Sequence, residues 1–154
     1  MADDGDLIKL YSGRILALAA DIPHAARLDN PQASVRRRSP LCGSTVTVDL
    51  DMEGGRVSRF GQEVKACALG QAAAAVVGGA VIGRSLPELQ AARDALRAML
   101  KADGPIPAAP FDGFEVLLPA REYRNRHASI LLSIEAAAEA AEAAAQSAAH
   151  QGAG

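Results

Sequence analysis

The sequence predicts an α+β fold, a small three-stranded antiparallel sheet packed against several helices. The run Thr45-Val46-Thr47-Val48-Asp49-Leu50-Asp51 alternates apolar and polar residues with the period of a strand. Glu53-Gly54-Gly55 then turns the chain into a second such run. On either side of this region apolar residues recur at helical spacing. At 154 residues, 49% apolar and 22% charged, the chain has the material for one core, so residues 1–154 are expected to form a single domain. Aromatic residues make up 3% and tryptophan is absent, so burial falls to Ala, Leu, Val and Ile, and helices lined with alanine should approach closely.

Leu7, Tyr11, Ile15 and Leu18 share one helical face, which predicts an amphipathic helix over about 5–21 that ends before Pro23. Asp29-Asn30-Pro31 marks a turn, and 33–39 reads as a polar, edge-like first strand whose Arg36-Arg37-Arg38 run alternates faces. In the central strand Val46, Val48 and Leu50 point to the core, leaving the Thr and Asp residues on a wet face. The partner strand starts at Arg56-Val57-Ser58-Arg59-Phe60, and its period slips near Gly61, where a bulge is expected. From about Cys67 to Ile82 the pattern is helical with low side-chain bulk. Ser85-Leu86-Pro87-Glu88 forms a capping box with proline in the first turn, and Leu86, Leu89, Ala92, Leu96 and Met99 supply the inward face of the helix that follows. Gly104 to Pro110 reads as an ordered loop. A last helix is expected from about Arg124 to Ala149, with Ile130, Leu131, Ile134 and Ala138 inward, Glu135, Glu139 and Glu142 nearer solvent, and the alanine-rich tail beyond about 143 fraying.

Sixteen basic and eighteen acidic side chains leave a formal charge of −2, which predicts neither a nucleic-acid partner nor a membrane surface. The acidic start lacks the basic and apolar regions of a secretory signal. The apolar stretch 66–82 is interrupted by Gln71 and Gly78-Gly79 and falls short of the ~20 residues of a membrane span. A cytoplasmic location is expected, and there two cysteines are better read as free thiols or metal ligands than as a disulfide.

Cys67 falls at or near the first turn of a helix, where free N–H groups and partial positive charge favour the thiolate. Cys42 precedes Gly43, which lets backbone approach an ion, although Cys-Gly is also an ordinary turn. Two distant cysteines are more often small buried hydrophobes than a shared metal site. A lone His127 at a helix start is more often a surface or capping group than a ligand. Gly78-Gly79-Ala80-Val81-Ile82-Gly83 lies late in a helical stretch and fails the strand-to-helix context of a dinucleotide loop, so it is read as a site of close helix packing. His24 and His150 read as solvated, and no Ser–His–Asp set or carboxylate pair stands out.

Taken together, Cys42, Cys67 and His127 give the chain a resemblance to the U-type iron–sulfur cluster scaffold family, which includes IscU, SufU and the N-terminal domain of NifU. Asn30-Pro31 matches an Asn-Pro of that family, Cys42-Gly43-Ser44 matches its Cys-Gly-Asp, and His127-Ala128-Ser129-Ile130-Leu131 matches four of five residues of its His-Cys-Ser-Ile-Leu. The resemblance extends from the first helix to about Glu142, and the stretch 105–126 is similar to the longer insertion of the SufU branch. Two departures stand out: Ser44 replaces an Asp, and Ala128 replaces the third Cys, the expected persulfide acceptor.

The resemblance implies a non-enzymatic scaffold holding iron, a transient [2Fe–2S] cluster or zinc through Cys42, Cys67 and His127, with Ser44 as a weak fourth donor. It also implies a cysteine desulfurase and cluster-receiving proteins as partners. Three strong donors fall one short of a [2Fe–2S] set, and Ser44 is poor because its hydroxyl stays protonated. Zinc accepts two thiolates and an imidazole with one position open. The rival expectations are a zinc-binding sulfur-transfer module and a metal-free interaction protein on the same fold.

Overall fold

The structure is a computed structural model; it describes residues 13–40 and 43–152, without the side chains of 148–152. Residues 13–20 form helix α1, so Leu7 and Tyr11 of the expected first helix lie outside the described residues. Strands β1 (Ala33–Arg38), β2 (Thr45–Glu53) and β3 (Arg56–Lys65) follow, then helices α2 (Ala68–Ala80), α3 (Leu86–Lys101) and α4 (His127–Gly152). The sheet is antiparallel in the order β1-β2-β3, with Val48 of β2 opposite Val35 on one side and Gln62 on the other.

The alternation in β2 sends Val46, Val48, Leu50 and Met52 into the core, where α4 crosses β1 and β2 and supplies Ile130, Leu131 and Ile134. Helix α2 lies against α4 and is buried nearly all round, which accounts for its lack of charged residues. Ala72 to Ala75 on α2 and Ala136, Ala137, Ala140 and Ala141 on α4 are buried, so small side chains set the spacing between the helices. The α3 capping box is present: Glu88 N donates to Ser85 Oγ at 3.3 Å and Ser85 N to Glu88 Oε1 at 3.1 Å. Leu89, Ala92, Leu96 and Met99 face inward as expected. Arg37 reaches from β1 to Glu139 of α4 at 3.0 Å, while Arg36 and Arg38 remain exposed on the edge strand.

Three features differ from the sequence expectations. The outer face of the sheet is not wholly wet, because the segment after α1 doubles back over it and buries Asp49 completely. Asp49 accepts from Arg27 Nε at 2.6 Å, Ser34 Oγ at 2.6 Å and Leu28 N at 3.0 Å, and Asp51 accepts from Gln32 N at 2.8 Å. These carboxylates supply acceptors that the returning chain needs for its own N–H groups. The bulge falls at Ser58, since Asp51 pairs with Arg59 and Met52 with Val57. Gly61 is instead the point where the returning segment touches the sheet: a Cβ there would lie 2.3 Å from the Ala26 carbonyl oxygen.

Beyond the 105–111 loop, a 3₁₀ helix spans Asp112–Glu122, burying Phe114, Val116, Leu117 and Ala120. A short 3₁₀ turn, Arg124–Arg126, then leads into α4, which starts at His127 rather than 124. Helix α4 runs to Gly152, and Ala144 is still buried. Among the described residues no helix is long and apolar enough to cross a membrane.

Candidate functional site

The sequence passes from strand to helix within two residues after Lys65, and Cys67 is the N-cap of α2, with extended backbone at φ −66° and ψ 170°. Its thiol is half-buried, and burial opposes ionisation. The N–H groups of Gly70 and Leu69, the Ser129 hydroxyl and the charge of Arg126 together outweigh that, holding the thiol below its ordinary value. Gln71 secures the turn by donating from Nε2 to the Ala66 carbonyl at 3.0 Å.

Ser129, in the first turn of α4, brings a second segment to the same place. Its Oγ lies 3.6 Å from Cys67 Sγ and 3.0 Å from Ser44 Oγ; its single proton goes to Ser44 while Cys67 is a thiol and to the sulfur when Cys67 is ionised, Ser44 then donating in turn. Ser44 ends the turn between β1 and β2, which is closed by Ser39 N donating to the Ser44 carbonyl at 2.8 Å and Gly43 N to the Ser39 carbonyl at 2.9 Å. Gly43 has φ +72°, a left-handed conformation suited to glycine. Cys42 belongs to this turn in sequence but lies outside the described residues.

His127 is 4% exposed, and its Nε2 lies 2.9 Å from the Ala120 carbonyl oxygen. A carbonyl only accepts, so Nε2 carries a proton, and the tautomer compatible with this contact has its lone pair on Nδ1. A cleft of about 870 Å³ runs alongside, bounded by Lys101, Asp103, Arg121, Arg124 and His127. Arg121 closes one wall by donating to the Met99 and Gly104 carbonyls, each at 2.6 Å. Ala128 is partly exposed between His127 and Ser129.

The structure thus joins Ser44 and Cys67 through Ser129, while His127 enters the same turn of α4 with its ring held by Ala120. Among the described residues no three His, Cys, Asp or Glu side chains gather as a metal-binding group. Sequence reasoning did not single out Ser129, although it stands inside the His127–Leu131 motif. Its hydroxyl acquires a role only through partners on distant segments.

No family profile and no curated protein matches the chain. Solved structures do. A nitrogen-fixing NifU-like protein, N-terminal, from Brucella abortus is 44% identical, with a TM-score of 0.87 over 91% of this chain and 97% of that one. A protein from Fervidobacterium islandicum AW-1, described as an iron–sulfur cluster assembly scaffold of the SUF system, shares the fold at 18% identity, with a TM-score of 0.76 over 87% of this chain and 98% of that one. A third structure, described as a hypothetical protein, shares it at 20% identity and a TM-score of 0.78 over 88% and 98% of the two chains. With 44% identity spanning nearly all of both chains on one fold, this protein belongs to the U-type iron–sulfur cluster assembly scaffold family, a family of scaffolds rather than enzymes, and resembles its NifU-like N-terminal members.

Proposed function

We propose that the chain acts as a single-domain scaffold in the cytoplasm, taking iron, a [2Fe–2S] cluster or zinc as cargo through Cys42, Cys67 and His127. The observation that carries this reading is Cys67 at the N-cap of α2, its ionised form favoured by helix N–H groups and its sulfur beside Ser129, whose hydroxyl is in turn bonded to Ser44 in the segment that follows Cys42. A thiolate prepared in this way needs no further base before it ligates an ion. The Ala120 carbonyl does for His127 what outer hydrogen bonds do for metal-bound imidazoles generally, fixing the tautomer and leaving Nδ1 to donate.

The donor set also limits the cargo. Two thiolates neutralise a divalent ion, and the neutral imidazole adds no charge. With Ala128 in place of a thiol, a [2Fe–2S] cluster requires a ligand from a small thiol or a second protein. Zinc fits the same three donors with one position open, which favours a zinc-binding sulfur-transfer accessory as the second reading. The partners proposed are a cysteine desulfurase and cluster-receiving proteins, with no persulfide held at position 128. Anaerobic reconstitution with iron and sulfide, followed by absorbance and elemental analysis, tests the scaffold reading. Equal uptake by wild type and a Cys42→Ala/Cys67→Ala variant sinks it, and zinc retained without cluster formation selects the second reading.

A further inference from the structure

We infer that Ser129 is a positioning residue for this site, and that Ser44 serves as its brace rather than as a metal ligand; the inference deepens the scaffold reading and rests on it. One hydroxyl from the first turn of α4 meets two segments far from it in sequence, the N-cap of α2 and the turn between β1 and β2. Ser129 is 1% exposed and Ser44 is 5% exposed, so water competes poorly for the bond between them. Gly70 completes the seat. A Cβ at that position would lie 2.7 Å from Ser129 Oγ and 3.2 Å from the Ser129 carbonyl oxygen, so α2 and α4 reach this separation only because the residue three after Cys67 has no side chain.

The same contacts bear on what Ser44 does. Its Oγ shares a hydrogen bond with Ser129 Oγ, and its backbone carbonyl accepts one from Ser39 N. To ligate an ion, the Ser44 oxygen would have to give up a buried hydrogen bond and offer a neutral hydroxyl, a weak donor beside thiolates. In the braced arrangement it holds the end of the turn against α4, and Ser129 passes that restraint to the Cys67 sulfur.

The test uses the full chain with Ser129→Ala, Ser129→Thr and Ser44→Ala, titrated anaerobically with Co(II) and followed by the thiolate-to-cobalt charge-transfer and ligand-field bands. A second measurement needs no metal: in a Cys42→Ala background, where Cys67 is the one remaining thiol, iodoacetamide labelling is timed at a pH high enough to ionise the thiol fully in every variant. Ser129→Ala is expected to weaken Co(II) binding about tenfold, the size found for groups that orient metal ligands, and to speed labelling several-fold. Ser129→Thr, which keeps the hydroxyl, retains both properties. Ser44→Ala weakens binding less and leaves the saturated cobalt spectrum unchanged, because no ligand is lost.

Unchanged affinity and labelling in Ser129→Ala overturn the positioning role. An altered ligand-field spectrum at saturation in Ser44→Ala overturns the brace. If wild type binds no Co(II) while labelling still responds to Ser129, the metal reading falls and the positioning of Cys67 stands. Should Ser129→Ala fail to fold, faster labelling in Ser44→Ala supports the role, and an unchanged rate overturns it.

Discussion

The seam between α2 and α4 carries two polar rungs, and they are built alike up to the point where they diverge. Ser129 and Ser133 stand four residues apart on α4, and Gly70, Ala74 and Gly78 stand at the same interval on α2. The inner rung is closed. Gln62 of β3, fully buried, donates from Nε2 to the Ala74 carbonyl at 3.0 Å and the Pro23 carbonyl at 3.3 Å, and accepts from Ser133 Oγ at 3.2 Å. The outer rung ends on the half-buried sulfur of Cys67, a softer and larger atom than an amide oxygen, 3.6 Å from Ser129 Oγ. A buried amide with its hydrogen bonds made is a structural tie, whereas a thiolate held by a few N–H groups retains capacity for an ion. On the scaffold reading proposed above, the same helix pair commits one rung to stability and the other to binding.

The contrast is broken most directly at Gln62. Gln62→Ala removes the inner rung and leaves the Ser133 hydroxyl and the Ala74 and Pro23 carbonyls short of a partner around a cavity, and it is expected to cost about 3 kcal/mol in urea unfolding. Ser129→Ala in metal-free protein should cost about 1 kcal/mol; a larger loss at Ser129 than at Gln62 would reverse the assignment of roles. Gly78→Ala places a Cβ 2.7 Å from the Pro23 carbonyl and 2.9 Å from Gln62 Nε2, and is expected to destabilise by about 2 kcal/mol without changing Co(II) affinity. Gly70→Ala pushes on Ser129 instead, so its affinity should fall along with its stability, and calorimetry against cobalt titration separates the two glycines.

The smallest expected effect is in pH. The inner rung has no titrating group, whereas the outer rung includes a thiol whose folded value lies below its unfolded one. Stability from that thiol is therefore fully present above the unfolded value of about 8.5 and is lost as pH falls through the folded value. Comparing metal-free wild type with Cys67→Ala by urea unfolding between neutral and alkaline pH should show wild type gaining on the variant as pH rises. Parallel curves would remove the electrostatic half of the contrast.

What the sequence made legible follows the range of each interaction. The β2 alternation, the Ser85 box and the inward stripe of α3 are local patterns, and each appears where its residues predict. The burial of Asp49 was not legible, because its guanidinium partner is 22 residues away and an alternating Asp looks solvent-facing until another segment covers it. Gly61 drew a bulge assignment because a glycine in a strand signals either a kink or a close approach, and only the Ala26 carbonyl decides between them. The 3₁₀ run at 112–122 escaped because it lacks the 3.6-residue period on which helix recognition relies. At the site, Cys67 at a helix start could be read from the change of period. The bond from Ser129 to Ser44 spans 85 residues, and the tautomer of His127 depends on a carbonyl in a segment with no pattern to announce it.

Ala128 has a consequence for how firmly the loss of the third thiol is written into the molecule. It stands in the first turn of α4, only partly covered, between a histidine and a serine that are both already held in place. A sulfur at this partly exposed position asks for little repacking, so Ala128→Cys would supply the third thiol of the family motif by one substitution. On the scaffold reading proposed above, a thiol supplied by a small molecule or a second protein would have this partly covered turn, already fixed on both sides, as its point of entry.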